Sequence, residues 1–251
     1  MNSAKMRPAL VGIAAVSLAV AAFGGVGKSA PRAEKKIEGA QAPKGAHVLF
    51  TGKEEELRAN WVKYGSEEPP GWKIVDGAME VHGGDIATKE NFGDYWLHIE
   101  FREPESRPEE HGQERGNSGV FLGRHYEIQV LDSYGIADPG RGDCGAVYNQ
   151  AAPLVNACKP PLQWQTYDII YRAPRADENH KITEHARVTV FQNGQLIQNN
   201  QEIVGPTDGH EPGPDEDFSQ PAPIRLQDHG HPLRYRNIWV LPLPPHGAEH
   251  Y

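Results

Sequence analysis

The segment NSGVFLGRHYEIQVLDSY, residues 117–134, alternates apolar and polar side chains on both sides of a turn. In its second half Glu127 and Gln129 share one side, and Ile128 and Val130 share the other. Successive side chains of a strand point to opposite faces of a sheet. The segment therefore predicts short β-strands with one apolar and one polar face.

Similar alternation recurs along the chain between turn residues. Asn193-Gly194 is typical of a hairpin turn, and helical periodicity is confined to Glu54–Trp61. Gly and Pro together make up 48 of 251 residues, which favours many short strands over a helical bundle. We predict an all-β, antiparallel two-sheet jelly-roll sandwich over residues 46–244. The alternating segments are Lys73–His82, Asp94–Arg102, Ser118–Leu122, Tyr126–Leu131, Gln165–Tyr171, Ala186–Gln192, Pro223–Gln227 and Tyr235–Leu241.

The first residues differ from the rest of the chain. Lys5 and Arg7 precede an uncharged run from Ala9 to Gly27, which is typical of a secretory signal. We predict a signal peptide over residues 1–30, and an uncleaved membrane anchor is the alternative because the run is near the length of a spanning helix. Polar residues 31–45 form a linker, and residues 245–251 form a tail. The expected location is periplasmic or extracellular.

The charge balance limits the partners. The chain has 34 acidic and 25 basic residues, a net charge of −9, and no cluster of Lys and Arg. Nucleic-acid binding needs such a cluster, so we expect a small-molecule partner instead. If the signal is cleaved, the mature chain has no membrane span.

Cys144 and Cys158 are the only cysteines. In an oxidising compartment they could close a loop of about 15 residues with a disulfide bond. The alternative is a pair of free, buried thiols. No metal-ligand spacing accompanies them, so they do not predict a zinc site.

Polar side chains occupy one side of several predicted strands. In Asp94–Arg102, Glu100 and Arg102 lie opposite Ile99 and Phe101. A solvated outer face is the alternative, since antiparallel sheets often expose a polar side. We predict that these sides converge on one concave face. The other strands contribute Glu127, Gln129, Arg225, Gln227, His229 and Arg236.

Glu127 and Asp132 invite comparison with the two carboxylates of retaining glycosidases, which lie about 5 Å apart. In a regular strand, residues five apart point to opposite faces. The middle position, Gln129, is an amide instead of an acid. Ordinary retaining hydrolysis is therefore not expected.

Four long segments closely resemble the 3-keto-disaccharide hydrolase family of bacteria. The resemblance extends from His47 to Leu243 and implies a concanavalin-A-like sandwich that acts on glycosides whose glucose unit is oxidised at C3. One departure is PPLQW, residues 160–164, where the family usually has a Gly and an acidic residue before the Trp. The segments are Asn117–Tyr134, Cys144–Arg175, Ala186–Gly194 and Pro223–Leu243.

Such a substrate would react by elimination, because the ketone acidifies the C2 proton and the group at C1 then leaves. We predict Glu127 as the base and His229 as the acid, with Gln129 and Arg236 holding hydroxyls and the enolate oxygen. The predicted substrate-binding residues are Glu100, Arg102, Asn117, Tyr148, Trp164, Arg225 and Gln227.

No cofactor is required by this reading. The chain has no G-x-G-x-x-G motif between a strand and a helix, which is the context that binds flavin or nicotinamide. A divalent cation could act as a Lewis acid, but no short motif specifies a metal site and we predict none. The conceivable ligands are His98, Glu100, Glu127, Asp132 and His229.

Two other classes of function remain open. The first is a non-catalytic, lectin-like carbohydrate-binding module, for which this fold is also common. The second is an interaction domain whose concave face is only solvated. Turnover of a 3-keto-disaccharide would distinguish an enzyme from both of these classes.

Overall fold

The structure is a computed structural model that describes residues 40–207 and 216–245 of the chain. The predicted signal peptide or anchor, residues 1–30, and residues 31–39 of the predicted linker lie outside the described residues, as does the tail from residue 246. Within the described ranges, no helix has the length and apolar character needed to cross a membrane.

Fifteen strands and one short helix, α1 (Glu54–Asn60), make up the regular structure of the described residues. A 3₁₀ turn at Gly112–Glu114 interrupts the long loop after the sixth strand. The strands are β1 His47–Phe50, β2 Trp61–Lys63, β3 Lys73–Val75, β4 Ala78–Glu80, β5 Ile86–Thr88, β6 Tyr95–Arg102, β7 Ser118–Leu122, β8 Tyr126–Val130, β9 Gln165–Arg172, β10 Arg175–Ala176, β11 Ile182–Glu184, β12 Ala186–Gln192, β13 Gln195–Ile203, β14 Arg225–Leu226 and β15 Arg234–Pro242.

Two sheets form the sandwich. The eight-stranded sheet has the order β13-β12-β9-β6-β15-β4-β3, and β1 also pairs with β15. The five-stranded sheet has the order β2-β5-β14-β7-β8, and β10 and β11 form a separate ribbon. Every pairing is antiparallel in the part of the chain that is described. The predicted all-β antiparallel sandwich is confirmed.

Alternation places the core between the sheets. Ile99 and Phe101 on β6, and Ile128 and Val130 on β8, are fully buried in one apolar cluster. Burying side chains of this size contributes roughly 1.5–3 kcal/mol each.

Two tyrosine hydroxyls also bridge the sheets. Tyr235 Oη donates to Ser118 Oγ at 2.7 Å, and Tyr167 Oη donates to the Gln129 carbonyl at 2.6 Å. The strands that carry Ser118 and Gln129 are therefore held against the core from behind.

The turns refine the predicted strands. The run Lys73–His82 was predicted as one alternating segment, but it is the hairpin β3–β4. Asp76 and Gly77 have φ values of 52° and 72°, as a type I′ turn requires, so the Asp-Gly pair outweighs the alternation around it. The predicted hairpin turn at Asn193-Gly194 is confirmed, with φ values of 53° and 80°.

The two cysteine thiols are free and share one neighbour. Gln192 Nε2 lies 3.5 Å from Cys144 Sγ and 3.4 Å from Cys158 Sγ. Burial, together with the neighbouring Cys158 thiol, raises the pKa of Cys144. The loop between them carries Tyr148, so a covalent link here would anchor that loop.

We expect oxidised glutathione to join Cys144 and Cys158 and to raise the melting temperature by about 6–12 °C. A disulfide that closes a 15-residue loop stabilises the fold by about 3 kcal/mol. Each 1 kcal/mol shifts the melting temperature of a domain of this size by about 2–4 °C. Calorimetry with free-thiol titration measures both changes. Cys158→Ser should show neither, and an oxidised protein with unchanged stability would contradict the prediction.

Candidate active site

The outward face of the five-stranded sheet carries a row of three side chains. Arg225 on β14, Phe121 on β7 and Glu127 on β8 are Cα partners across the strands, so they share one face. The Arg225 guanidinium lies 3.5 Å from the centroid of the Phe121 ring. Although Glu127 faces away from the core, it is only 5% exposed. Loops therefore cover this face and enclose the row.

A second row lies two residues further along the same strands. Gln129 is the Cα partner of Gly119, and the backbone N–H of Gln227 donates to the Gly119 carbonyl at 3.0 Å. A Cβ placed on Gly119 would lie 2.2 Å from Glu127 Oε1. The Glu127 carboxylate therefore occupies the space that any other residue at position 119 would fill. Glycine within a strand often marks such a close approach.

A pocket of about 300 Å³ opens over these two rows. Its wall beside β8 comes from the following segment, where the Tyr148 N–H donates to the Glu127 carbonyl at 3.1 Å. We call this cavity the inner pocket. It is lined by Gln113, Asn117, Phe121, Glu127, Gln129, Tyr148, Thr207, Arg225, Gln227 and His229.

Two buried amides at one end of the inner pocket are oriented by Gln113. Asn117 Nδ2 donates to the Gln113 carbonyl at 2.9 Å, and Gln129 Nε2 donates to Gln113 Oε1 at 3.1 Å. Asn117 and Gln129 are each 1% exposed, and their amide oxygens have no hydrogen-bond partner among the described residues. Buried acceptors are costly to leave unpaired, so these oxygens suit a ligand that donates hydrogen bonds.

The Tyr148 hydroxyl remains protonated at neutral pH. Burial and the nearby charge of Glu127 raise the pKa of this phenol above its ordinary value. Tyr148 can therefore act as a hydrogen-bond donor beside the Glu127 carboxylate.

A second cavity of about 490 Å³ adjoins the inner pocket. The two cavities share Gln113 and His229, so His229 stands at their junction. We call this cavity the outer pocket. It is lined by Arg107, Glu109, Glu110, Gln113, Glu114, His229 and His231.

The structure divides the predicted site residues between the two sheets. Those around the inner pocket are Glu127, Gln129, His229, Asn117, Tyr148, Arg225 and Gln227. The predicted convergence on a single face was wrong for the others, which lie on or beside the eight-stranded sheet: Arg236, Glu100, Arg102 and Trp164. Alternation tells which side of a strand a residue occupies, but a sandwich has two outward faces.

The four residues on the eight-stranded sheet form a cluster of their own. Arg236 Nε donates to Glu100 Oε2 at 2.6 Å, and the Arg236 guanidinium lies 3.9 Å from the centroid of the Trp164 ring. The Arg102 guanidinium lies 5.1 Å from the same centroid. Arg236 is thus the ion-pair partner of Glu100 and is not available to a ligand in the inner pocket.

His98 extends this cluster into a buried ionic network. Its Nδ1 lies 2.8 Å from Asp168 Oδ1 and its Nε2 lies 3.8 Å from Glu100 Oε1. Burial by itself lowers the pKa of His98, but the bonds to the two carboxylates outweigh it and raise the pKa to about 9. His98 is therefore a charged, structural histidine.

The stability of the fold should fall at alkaline pH because of His98. A folded-state pKa of about 9, above the ordinary 6.5, means that its contribution is complete below pH 6.5 and is lost as the pH rises through 9. The difference corresponds to about 3 kcal/mol of unfolding free energy. Urea denaturation from pH 6.5 to 10 measures how the free energy of unfolding falls with pH. His98→Gln should remove this fall, and His180→Gln, at an exposed histidine, should keep it. An equal slope in all three proteins would contradict the assignment.

Asp132 is engaged in a structural contact instead of catalysis. Its Oδ2 accepts hydrogen bonds from Arg115 at 2.6 Å and from Ser106 at 2.8 Å, and it does not line the inner pocket. Asp132 is therefore not the second carboxylate that a retaining glycosidase would need beside Glu127.

Sequence reasoning missed three residues of the inner pocket: Gln113, Phe121 and Thr207. Phe121 lies two residues from Gly119 on the same strand and so shares its face, which could have been assigned from the sequence. Gln113 and Thr207 lie in loops without periodicity, and no sequence signal marks them.

Within residues 40–207 and 216–245, no group of three or more His, Cys, Asp or Glu side chains is placed to hold a metal ion. The conceivable metal ligands named from the sequence are also dispersed. His98 and Glu100 lie on the eight-stranded sheet, while Glu127 and His229 line the inner pocket.

The profile of the 3-keto-disaccharide hydrolase family, described as a 3-keto-alpha-glucoside-1,2-lyase-like domain, matches residues 45–241. The chain belongs to this family. The resemblance found in the sequence is confirmed, and the 3-keto-glucoside lyase-like domain contains both pockets. Family membership makes this a carbohydrate-active protein of glycosidase type.

Solved structures agree with this assignment. A candidate glycosyl hydrolase from Parabacteroides distasonis shares 40% identity, with a TM-score of 0.73, over 80% of this chain and 85% of its own. Two further candidate glycosyl hydrolases from that organism share 19% and 21% identity, with TM-scores of 0.58 and 0.53. They cover 80% and 79% of this chain and 95% and 99% of their own, and they show the fold alone. No curated protein matches the chain.

Proposed function

We propose that this 3-keto-glucoside lyase-like domain cleaves glycosides whose glucose unit carries a ketone at C3. Cleavage would proceed by elimination across C1 and C2 and then by addition of water, with release of 3-keto-glucose. The observation that carries the proposal is one pocket holding a buried carboxylate, a histidine and a guanidinium: Glu127, His229 and Arg225. The family description, a 1,2-lyase-like domain, names an elimination across the same two carbons.

Glu127 is the proposed base for the C2 proton. The adjacent ketone makes that proton acidic, and its removal leaves an enolate with charge on the C3 oxygen. Arg225 and the protonated Tyr148 hydroxyl are the donors in the pocket that suit this charge. Arg225 thus takes the role that the sequence analysis assigned to Arg236.

His229 is the proposed acid for the departing oxygen. Collapse of the enolate forms the C1–C2 double bond and breaks the bond from C1 to the leaving group, which takes a proton. Histidine is suited to this transfer near neutral pH. Its place at the junction of the two pockets would put it beside the glycosidic oxygen of a substrate that spans both pockets.

Gln129 keeps only part of its predicted role, the binding of hydroxyl groups. Its Nε2 is occupied by Gln113 Oε1 at 3.1 Å and by the Gly142 carbonyl at 3.4 Å, so it does not donate to an enolate. Its Oε1, which has no hydrogen-bond partner in residues 40–207 and 216–245, is an acceptor instead. Gln129 and Asn117 would therefore read hydroxyl groups of the sugar.

Hydration completes the reaction. Water adds its hydroxyl at C1 and a proton at C2, which reverses the elimination with water in place of the leaving group. The net change is hydrolysis without gain or loss of electrons, so no redox cofactor is consumed and another protein must form the ketone. Export, which we also propose from the first 30 residues, would put this step outside the cytoplasm.

The covered state of Phe121 disfavours a lectin-like module. Such modules stack sugars on open aromatic rings, but the Arg225 guanidinium lies against this ring at 3.5 Å. Tyr148 is the other aromatic residue of the inner pocket. The titratable pair Glu127 and His229 favours turnover over binding alone.

The test is incubation of the protein with a 3-keto-disaccharide in heavy water. We expect release of 3-keto-glucose with deuterium at C2, at an incorporation rate above that of the protein-free control. The unoxidised disaccharide should not be cleaved. Binding without release would favour the module, and cleavage of both sugars without deuterium would favour direct displacement.

A further inference from the structure

We propose that the outer pocket binds the leaving group, and that it selects hydroxylated leaving groups with a positive charge, such as amino sugars. This inference rests on the proposed function and adds a substrate class to it. Anionic and apolar leaving groups would be disfavoured.

The two pockets form one groove. Gln113 and His229 belong to both linings. A glycoside with its oxidised ring over Glu127 would therefore extend past His229 into the outer pocket. The proposed acid would then stand beside the bond that breaks.

Two amide oxygens of the inner pocket are hydrogen-bond acceptors without a partner among the described residues. Asn117 and Gln129 are each 1% exposed, are both bonded to Gln113 and keep amide oxygens without a partner among the described side chains and backbone groups. Both residues line the inner pocket, and Gln113, to which they are bonded, lines both pockets. The unmet hydrogen bonds of their amide oxygens indicate a hydroxylated ligand in the groove.

The walls of the outer pocket are held in place. His231 Nε2 lies 2.8 Å from the Glu114 carbonyl, which ties the two walls together. Arg115 anchors the adjacent loop to the buried carboxylate of Asp132 at 2.6 Å. The pocket is therefore formed before a ligand enters, which limits the ordering cost of binding.

The lining of the outer pocket is negative and entirely polar. Its one guanidinium, Arg107, contacts Glu110 at 2.7 Å and Glu109 at 3.6 Å. Glu114 forms no close ion pair within the described part of the chain. Three carboxylates and one guanidinium therefore line the pocket among the described residues. Among the residues that the structure describes, no aliphatic side chain or phenyl ring lines the pocket. This chemistry suits ammonium and hydroxyl groups, and it repels a carboxylate.

The test compares 3-keto-glucosides with glucosamine, glucose, glucuronate and 4-nitrophenol as leaving groups. Each kcat/KM is divided by the rate of base-catalysed elimination of the same substrate, which removes differences in intrinsic reactivity. We expect the normalised kcat/KM to be highest for the glucosamine substrate, lower for the glucose substrate and lowest for the glucuronate substrate. Each step should be about two- to fivefold, as for exposed charge pairs. The normalised value for 4-nitrophenol should be lower than that for glucose. Salt at 0.5 M should reduce the differences between the charged and neutral leaving groups.

The double variant Glu109→Gln/Glu114→Gln should lose most of this order. Its matched control, Glu184→Gln/Glu202→Gln, removes two exposed carboxylates on β11 and β13 and should keep the order. Turnover with no charge order, or with the aryl glycoside preferred, would overturn the inference and leave the proposed function standing.

Failure of all four substrates would count against the proposed function instead. The outer pocket is then tested directly by ligand-observed NMR with methyl glucosaminide and methyl glucuronide. Preferential binding of the glucosaminide that the double variant abolishes supports the charge selection. Equal binding of the two glycosides overturns it.

Discussion

Glu127→Gln is expected to lower kcat for a 3-keto-disaccharide by about 10²–10⁴-fold, because removing a general base typically has an effect of this size. The amide has nearly the same shape as the carboxylate, so it can occupy the same space over Gly119. It cannot accept the C2 proton. KM should change much less than kcat, since the contacts with hydroxyl groups remain.

Two measurements decide this prediction. The melting temperature establishes that the variant is folded, and C2–H exchange into heavy water reports proton abstraction without the later steps. Glu202→Gln, at a β13 side chain that is 42% exposed, is the matched control and should keep full activity. A folded Glu127→Gln protein with near-normal turnover and exchange would refute the assignment of the base.

The sequence predicted strand faces well because alternation is a local property. Glu127 and Gln129 lie on the side opposite Ile128 and Val130, as the alternation in residues 117–134 indicated. The sheet to which a strand belongs depends on long-range pairing instead. The strand Asp94–Arg102 shows the same alternation, yet Glu100 faces outward from the opposite sheet.

The loops that cover the pocket were the least predictable part. Gln113 lines both pockets and bonds to Asn117 and Gln129 of the inner one. It lies in a polar loop whose composition resembles a solvated surface. Its role depends on the path of the loop from Glu103 to Gly116, which is fixed by contacts such as Arg115 with Asp132. Neither contact follows from periodicity or residue spacing.

The role of Gly119 also cannot be recognised from the sequence. Its backbone has no positive φ, so the position does not demand glycine for conformational reasons. The demand is steric, because the nearest heavy atom to a Cβ at this position is Glu127 Oε1, at 2.2 Å. Only the position of a side chain from the neighbouring strand reveals this.

Gly119→Ala should therefore lower kcat by about 10²-fold while the fold is kept. The added methyl group must displace the Glu127 carboxylate by about an ångström, and a displacement of that size can cost about 10²-fold in rate. The carboxylate is the end of a flexible side chain, so the protein can yield without unfolding. Gly93→Ala is the matched control, because a Cβ there meets only Pro221 Cγ at 3.9 Å, and it should keep normal activity.

A double-mutant cycle links this effect to Glu127. In the wild-type background Glu127→Gln removes a correctly placed base, but in the Gly119→Ala background the base is already displaced. The second substitution should then cost far less than 10²-fold, since coupled residues are strongly non-additive. Additive losses, or a Gly119→Ala protein with reduced melting temperature and unchanged kcat, would show that Gly119 serves the strand and not the carboxylate.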